Sequence, residues 1–269
     1  MAIVRWWVVL TAGALALQAR PARAETYVLP SSTYGPGANG AEFRTDVRIL
    51  NRGRSAVTVN AVFYDQAASA IVPANPIRIE ARNQAAFDNI LHSLFGRSRK
   101  DGAYGPIRFE STAPILVTAS VNNVNACGTG AASGQRLPGI AASKALTAGV
   151  IGQLAVSANS TSGYRTNLVF MNPGNEPATA TVKVRRGRGD LLSTGKIGPL
   201  SANGFRQVAL NGDVFPGVAG TTDANLWLEF TSDQPVLAYA TIIHNVSGDP
   251  YAVIPSHDAP PRDSIEITS

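Results

Sequence analysis

The chain has little of what usually marks an enzyme or a disulfide-bonded protein. It holds one cysteine, so no disulfide can form within it, and its three histidines do not stand at metal-ligand spacing. It contains no nucleophile-elbow, phosphate-loop or zinc-protease motif that a strand and a helix could frame. We therefore expect no catalytic residue, no metal and no cofactor, and Cys127 is interpreted as a passive thiol in a Gly-rich loop.

Long apolar runs are missing except near the start of the sequence. Residues 6–17 form a short apolar run that follows Arg5 and precedes Ala22, Arg23 and Ala24, a pattern typical of a cleaved signal peptide over residues 1–24. A membrane-spanning helix needs about 20 apolar residues. We expect an exported product, periplasmic or extracellular, without stable membrane insertion after cleavage; an uncleaved membrane anchor is the alternative.

The charge excess is small. The formal net charge is +5, and cleavage would remove three basic residues and leave 20 basic against 18 acidic residues, or +2. This balance does not favour nucleic acid as a partner. The basic clusters at residues 97–100 and 185–188 are interpreted as solvated loop charge. Asp213, Asp223 and Asp249 lie in predicted loops and lack the ligand spacing of a calcium site.

What the chain does have is an internal match at an offset of 121 residues. Residues 43–53 correspond to residues 164–174, and residues 109–116 correspond to residues 230–237. Two separate blocks with one constant offset indicate that a single module occurs twice. The predicted organisation is a signal peptide (1–24), a first repeat (25–138), a linker (139–148), a second repeat (149–255) and a flexible tail (256–269).

Both copies contain an Arg-Thr pair at the same place. These four residues are interpreted as part of the module's architecture rather than as ligand contacts: Arg44, Thr45, Arg165 and Thr166. We expect each arginine stem to lie along a sheet and each guanidinium to bond to loop carbonyls.

Within each copy, apolar and polar residues alternate as in strands that bury one face. Residues 57–63 and 178–184 show this alternation most clearly, and turns at residues 51–56 and 172–177 precede them. These turns predict hairpins, and a further pairing is expected across residues 111–114 of the first copy. About seven short strands per copy predict an all-β chain of two tandem antiparallel immunoglobulin-like β-sandwich domains.

Residues 172–182, with the sequence NPGNEPATATV, carry a family resemblance. They resemble the turn between core strands in tandem immunoglobulin-like or fibronectin-type-III-like repeats of secreted bacterial proteins of unassigned function. The resemblance covers nearly all of residues 26–255. It implies the fold, export and non-catalytic use, and it carries over no functional residue. Residues 47–65 are also loosely similar to periplasmic pilus chaperones, but those proteins have two dissimilar domains.

The second copy has an unusual outer face. Opposite its predicted core positions stand four apolar or aromatic residues, which form a candidate partner or ligand surface: Trp227, Leu237, Tyr239 and Ile243. Such a face is covered by the other domain or by a loop, or else it binds a protein or stacks on sugar rings.

The expected function is therefore an exported, non-catalytic binding, adhesion or structural module that recognises a protein or a surface polysaccharide. Two alternatives stay open. One is a pilus-chaperone-like periplasmic protein, and the other is a carbohydrate-binding accessory protein or an enzyme with a dispersed site.

Overall fold

The structure is a computed structural model that describes residues 24–37, 40–125, 133–157 and 163–256. Most of the predicted signal peptide, Cys127, His257 and the rest of the predicted tail lie outside the described residues. The described part of the chain is all-β with antiparallel pairing, as predicted. Its one α-helix is the single turn α1 (Ile90–Ser93). No helix in this part is long and apolar enough to cross a membrane.

The N-terminal half, residues 25–141, forms one sheet. Its strands are β1 (Glu25–Pro36), β2 (Glu42–Leu50), β3 (Val57–Asp65), β4 (Ala70–Pro73), β5 (Ile77–Ile79), β6 (Gln84–Phe87), β7 (Ala103–Ser111), β8 (Leu116–Asn123), β9 (Ser133–Pro138) and β10 (Ile140–Ala141). Their order is β4-β3-β7-β1-β2-β8-β9, with β5, β6 and β10 at the side of β3, β2 and β1. The sheet curves into two layers, because Phe63 and Phe109 share one buried core with Val47 and Val117.

The C-terminal half, residues 146–256, forms a second sheet. Its strands are β11 (Leu146–Val156), β12 (Tyr164–Met171), β13 (Ala178–Arg186), β14 (Leu191–Leu200), β15 (Phe205–Ala209), β16 (Asp223–His244) and β17 (Pro250–Val253). The first part of β16 pairs with β11 and β13, and its last part pairs with β12 and β17. Phe170 and Phe230 meet edge to face across the core with ring centroids 5.2 Å apart. The long strand thus joins both layers of a sandwich.

The predicted inward faces are buried, but the predicted hairpins are wrong. Thr45, Val47 and Ile49 are buried together with their counterparts in β12. However, β2 pairs with β1, β6 and β8, whereas β3 pairs with β4, β5 and β7. The turn at residues 51–56 therefore carries the chain from one layer to the other, and residues 172–177 do the same. Likewise β7 and β8 do not pair with each other. In both strands that a crossing connects, the apolar side chains point inward, as they also do in a hairpin. The alternation alone therefore does not reveal which layer each strand joins.

A buried asparagine stands at each of these two crossings. Asn51 and Asn172 are completely buried. The side-chain amide of Asn51 donates to the carbonyls of Ser55 (2.8 Å), Ile79 (3.1 Å) and Glu80 (3.0 Å). Its Oδ1 accepts from the backbone N–H of the glycine two residues later. One side chain thus satisfies carbonyls from two separate chain segments, which would otherwise be buried without a donor.

Asn172 repeats this arrangement 121 residues later. Its amide donates to the carbonyls of Glu176 (2.6 Å), Leu200 (3.0 Å) and Ser201 (3.1 Å). Its Oδ1 accepts from the N–H of Gly174 at 2.9 Å. Each of these partners lies 121 residues after the corresponding partner of the first asparagine.

The strand registers follow the same offset. Thr45 lies opposite Val121 in the β2–β8 pair, and Thr166 lies opposite Ile242 in the β12–β16 pair. Both threonine hydroxyls bond to the backbone of the first strand of their own half. Thr45 donates to the carbonyl of Thr33 at 3.0 Å, and Thr166 donates to that of Ala155 at 2.6 Å. In each half, the threonine therefore ties the first strand to the second.

The segment that the sequence predicts as a linker has structure of its own. Residues 139–148 contain β10, which pairs with β1, and a 3₁₀ turn at Ala142–Lys144. The first residues of β11 complete it. The connection between the halves is thus short and lies against the N-terminal sheet.

We predict that Asn172→Ala lowers the free energy of unfolding by about 3 kcal/mol, because one buried and two partly buried hydrogen bonds to carbonyls are lost. Urea unfolding followed by tryptophan fluorescence measures the change. Asn175→Ala is the matched control, since Asn175 is exposed in the same turn, and it should change stability by less than about 0.5 kcal/mol. Equal effects of the two substitutions would contradict the role of the buried amide.

Candidate functional site

The four candidate surface residues of the second copy do not form one exposed surface. Tyr239 is 1% exposed and packs, together with Val169, into the hydrophobic core of the N-terminal half. Leu237 is buried beside Met171 and Val28 of β1. The reason is that the N-terminal half covers the outer face of the layer formed by β12 and the end of β16.

Trp227 lies in the other layer, on the first part of β16. Its indole Nε1 donates to the carbonyl of Arg186 at 2.9 Å. The Arg185 guanidinium lies 5.6 Å from the ring centroid and also pairs with Glu229 at 2.7 Å. A half-buried indole held in this way is part of the sheet surface rather than an open platform for a ligand.

A chain of side-chain hydrogen bonds joins the two halves beside Tyr239. The Tyr239 hydroxyl bonds to the side chains of Ser31 and Thr241. Thr241 in turn donates to Oε1 of Gln135 on β9 at 3.1 Å, and both residues are buried. Burial raises the pKa of Tyr239 well above its usual value, although these hydrogen bonds oppose the shift. Ser31 and Gln135 belong to the N-terminal half, and Tyr239 and Thr241 belong to the C-terminal half. These hydrogen bonds therefore hold the two halves against each other.

A cleft of about 750 Å³ opens beside this chain, with walls from both halves. Its lining includes Tyr104 from the N-terminal half and Arg165, Asn167 and Gln207 from the C-terminal half. The lining contains two arginines, several amide side chains and four aromatic rings, but no carboxylate among the described residues that line it. Of the sequence candidates, Arg165, Tyr239 and Ile243 line it, whereas Trp227 and Leu237 do not.

The two arginines of the Arg-Thr pairs occupy the same strand position but have different surroundings. Arg44 Nε lies 3.4 Å from Oδ1 of Asp46, and its side chain is 44% exposed. Arg165 instead donates to Oδ1 of Asn245 at 2.9 Å. The guanidinium groups therefore bond to side chains at these contacts, rather than to the backbone carbonyls that the sequence interpretation expects.

Burial without a carboxylate partner lowers the pKa of Arg165. Desolvation is the cause, since the charged form loses water that no ion pair replaces in the described part of the chain. The residue at the position of Asp46 in the second copy is Asn167, which has no charge. This exchange is the sequence signal that distinguishes the two arginines, and reasoning from their shared identity missed it. Arg206 and Gln207 carried no comparable signal.

The remaining titratable candidates do not assemble into a reaction centre within the described ranges. No three side chains of His, Cys, Asp or Glu lie close enough there to hold a metal ion. His92 Nδ1 lies 3.0 Å from the carbonyl of Arg97, and His244 Nδ1 lies 3.0 Å from the Ser247 hydroxyl. Each histidine thus has a local polar partner on a neighbouring turn.

Both basic clusters contain arginines that pair with acids of the same half. Arg97 contacts Asp65 at 2.9 Å, and the Asp65 side chain is 1% exposed. Arg186 lies 3.9 Å from Asp223, which the sequence places in a loop but which is the first residue of β16. Pairing of this kind offsets part of the positive charge that a polyanion would need.

Comparisons with known proteins identify no family. No protein-family model matches the chain, and no curated protein matches it. A match among solved structures is the crystal structure of Bacteroides uniformis beta-glucuronidase, at 10% sequence identity and a TM-score of 0.15. The alignment covers 84% of this chain and 25% of that structure. A likeness this low carries no structural or functional conclusion.

We predict that Tyr239→Phe destabilises the protein by about 1.5 kcal/mol, because removing the hydroxyl breaks the hydrogen-bond chain between the halves. Denaturant unfolding monitored by circular dichroism gives the difference. Tyr251→Phe is the control, since Tyr251 is 45% exposed and its substitution should have little effect. The proposed role of the hydroxyl fails if both variants unfold at the same urea concentration.

Proposed function

We propose that the protein is an exported, non-catalytic binding protein made of two copies of one immunoglobulin-like sandwich module after a signal peptide. Its ligand binds in the cleft between the halves. The recurrence of the buried asparagine and of the strand registers at one offset supports the duplication. Residues 1–24 supply the export signal in this proposal, and cleavage leaves the two modules in the periplasm or outside the cell.

The cleft is the observation that carries the binding role. Ligand sites for small molecules have volumes of about 300–1,000 Å³ and combine apolar walls with a few polar groups, and the volume of this cleft lies in that range. Its walls come from both halves, and the Ser31–Tyr239–Thr241–Gln135 chain fixes their relative position. A ligand would thus bind to a preformed site, and the protein would lose little conformational entropy on binding.

A partner of the binding protein is a surface polysaccharide or a protein segment that enters this cleft. The outer faces contribute less, because Trp227 and the arginines around it already contact one another.

We predict that a panel of oligosaccharides and short peptides contains members that raise the thermal unfolding temperature of the protein. Ligand at about one hundred times its Kd adds about 2.7 kcal/mol of stability, which corresponds to a shift of several degrees. Gln207→Trp should abolish the shift, because Gln207 is exposed on the cleft wall and the indole would fill the space.

Ala86→Trp is the matched control for this experiment. Ala86 lies on β6, 121 residues before Gln207 on β15, and it is exposed outside the cleft. This variant should keep the full temperature shift. The proposal is wrong if no panel member stabilises the protein, or if the two tryptophan variants respond alike.

A further inference from the structure

The cleft carries uncompensated positive charge. Arg165 and Arg206 both line it, and no carboxylate is among the lining residues that the structure describes. Arg165 has a neutral partner, Asn245, and within the described ranges it makes no ion pair. Arg206 is exposed on β15 and likewise forms no ion pair there. Arg206 lies opposite Phe170 in the β12–β15 pair, so its side chain leaves the sheet on the other face from that of Arg165. The Arg165 guanidinium, which has no internal counter-charge, is suited to bind an anion.

The first copy shows what the same position looks like when its charge is balanced. Arg44 faces Asp46 at 3.4 Å in the N-terminal half. In the C-terminal half the corresponding pair is Arg165 and Asn167, and only this pair lines the cleft. The arginine is thus present in both copies, while the carboxylate that would neutralise it is missing from the copy that faces the cleft. An external carboxylate could supply the charge that Asp46 supplies to Arg44.

The remaining walls fit a ring that bears hydroxyl groups. Tyr104, from the N-terminal half, is 44% exposed, and its ring meets that of Phe205, from the C-terminal half, edge to face at a centroid distance of 6.5 Å. The two rings give the cleft an aromatic wall on which an apolar ring face can lie. The amides of Gln66 and Gln207 also line the cleft and can both donate to and accept from hydroxyl groups.

We propose that the cleft binds a saccharide that carries carboxylate groups, with Arg165 holding a carboxylate and the aromatic wall holding the sugar ring. This proposal rests on the binding role of the cleft and adds the chemical class of the ligand. It favours a saccharide over an acidic peptide, because the aromatic rings and the uncharged amides line the same cleft as Arg165. Nucleic acid is disfavoured, since both basic clusters outside the cleft contain arginines that pair with acids.

Isothermal titration of the intact protein tests the ligand class. The probes are tetragalacturonate, an oligoglucuronate and a sialylated trisaccharide, each compared with its methyl ester, which keeps the ring and removes the charge. Tetraglutamate and inorganic phosphate are the other anions. We expect at least one acidic saccharide to bind, its methyl ester to bind at least about tenfold more weakly, and binding to weaken as ionic strength rises.

Two substitutions and one control assign the binding to the arginine site. Arg165→Gln and Asn167→Asp should each weaken binding of the acidic saccharide about tenfold or more, the first by removing the charge and the second by neutralising it internally. Arg44→Gln removes the corresponding arginine of the first copy and should leave the affinity unchanged. Circular dichroism spectra of the three variants verify that each is folded.

The outcomes separate this proposal from the binding role itself. Binding of neutral and acidic saccharides with equal affinity, blocked by Gln207→Trp, would retain the binding role and overturn the anionic ligand class. Tighter binding of tetraglutamate or phosphate than of every acidic saccharide would overturn the saccharide. No binding of any acidic saccharide to the folded protein would also overturn it.

Discussion

The sandwich depends on a buried side-chain amide at the place where the chain crosses from one layer to the other. A crossing leaves backbone carbonyls in the interior, where no neighbouring strand can satisfy them. Asn51 and Asn172 each donate to three carbonyls at such a crossing, one of them in a buried hydrogen bond, and accept from one N–H. In each half, one acceptor lies in the turn and another lies at the end of a later strand, β5 or β14. The amide therefore holds the turn together and also fixes the distance between the layers.

The position of the cleft follows from how the halves meet. An apolar face on the C-terminal half is covered by the N-terminal half, and Tyr239 lies at its centre with a hydroxyl that must find partners once it is buried. Ser31 and Thr241 provide them, and Gln135 extends the chain back to the N-terminal half. This contact is partly polar, and the cleft lies beside it with walls from both halves.

Much of the fold could be predicted from the sequence, because alternation determines which residues point inward and the offset of 121 residues predicts equivalent strands. The pairing partners could not, since alternation is the same for a hairpin and for a layer crossing. The sequence shows an asparagine at both turns. However, an asparagine can occur in an exposed turn as well as in a buried position where its amide bonds to backbone carbonyls. Only burial distinguishes them, and Asn51 and Asn172 are completely buried.

The candidate site was harder to predict, because it is formed where the halves meet and its residues are far apart in the sequence. Identity between the two halves predicts an architectural role for Arg165. Its strand position is equivalent to that of Arg44, but its surroundings differ. Difference between the copies is the more informative signal for function. The two halves keep equivalent core residues, whereas the exchange of Asp46 for Asn167 changes the charge of a surface that faces the cleft.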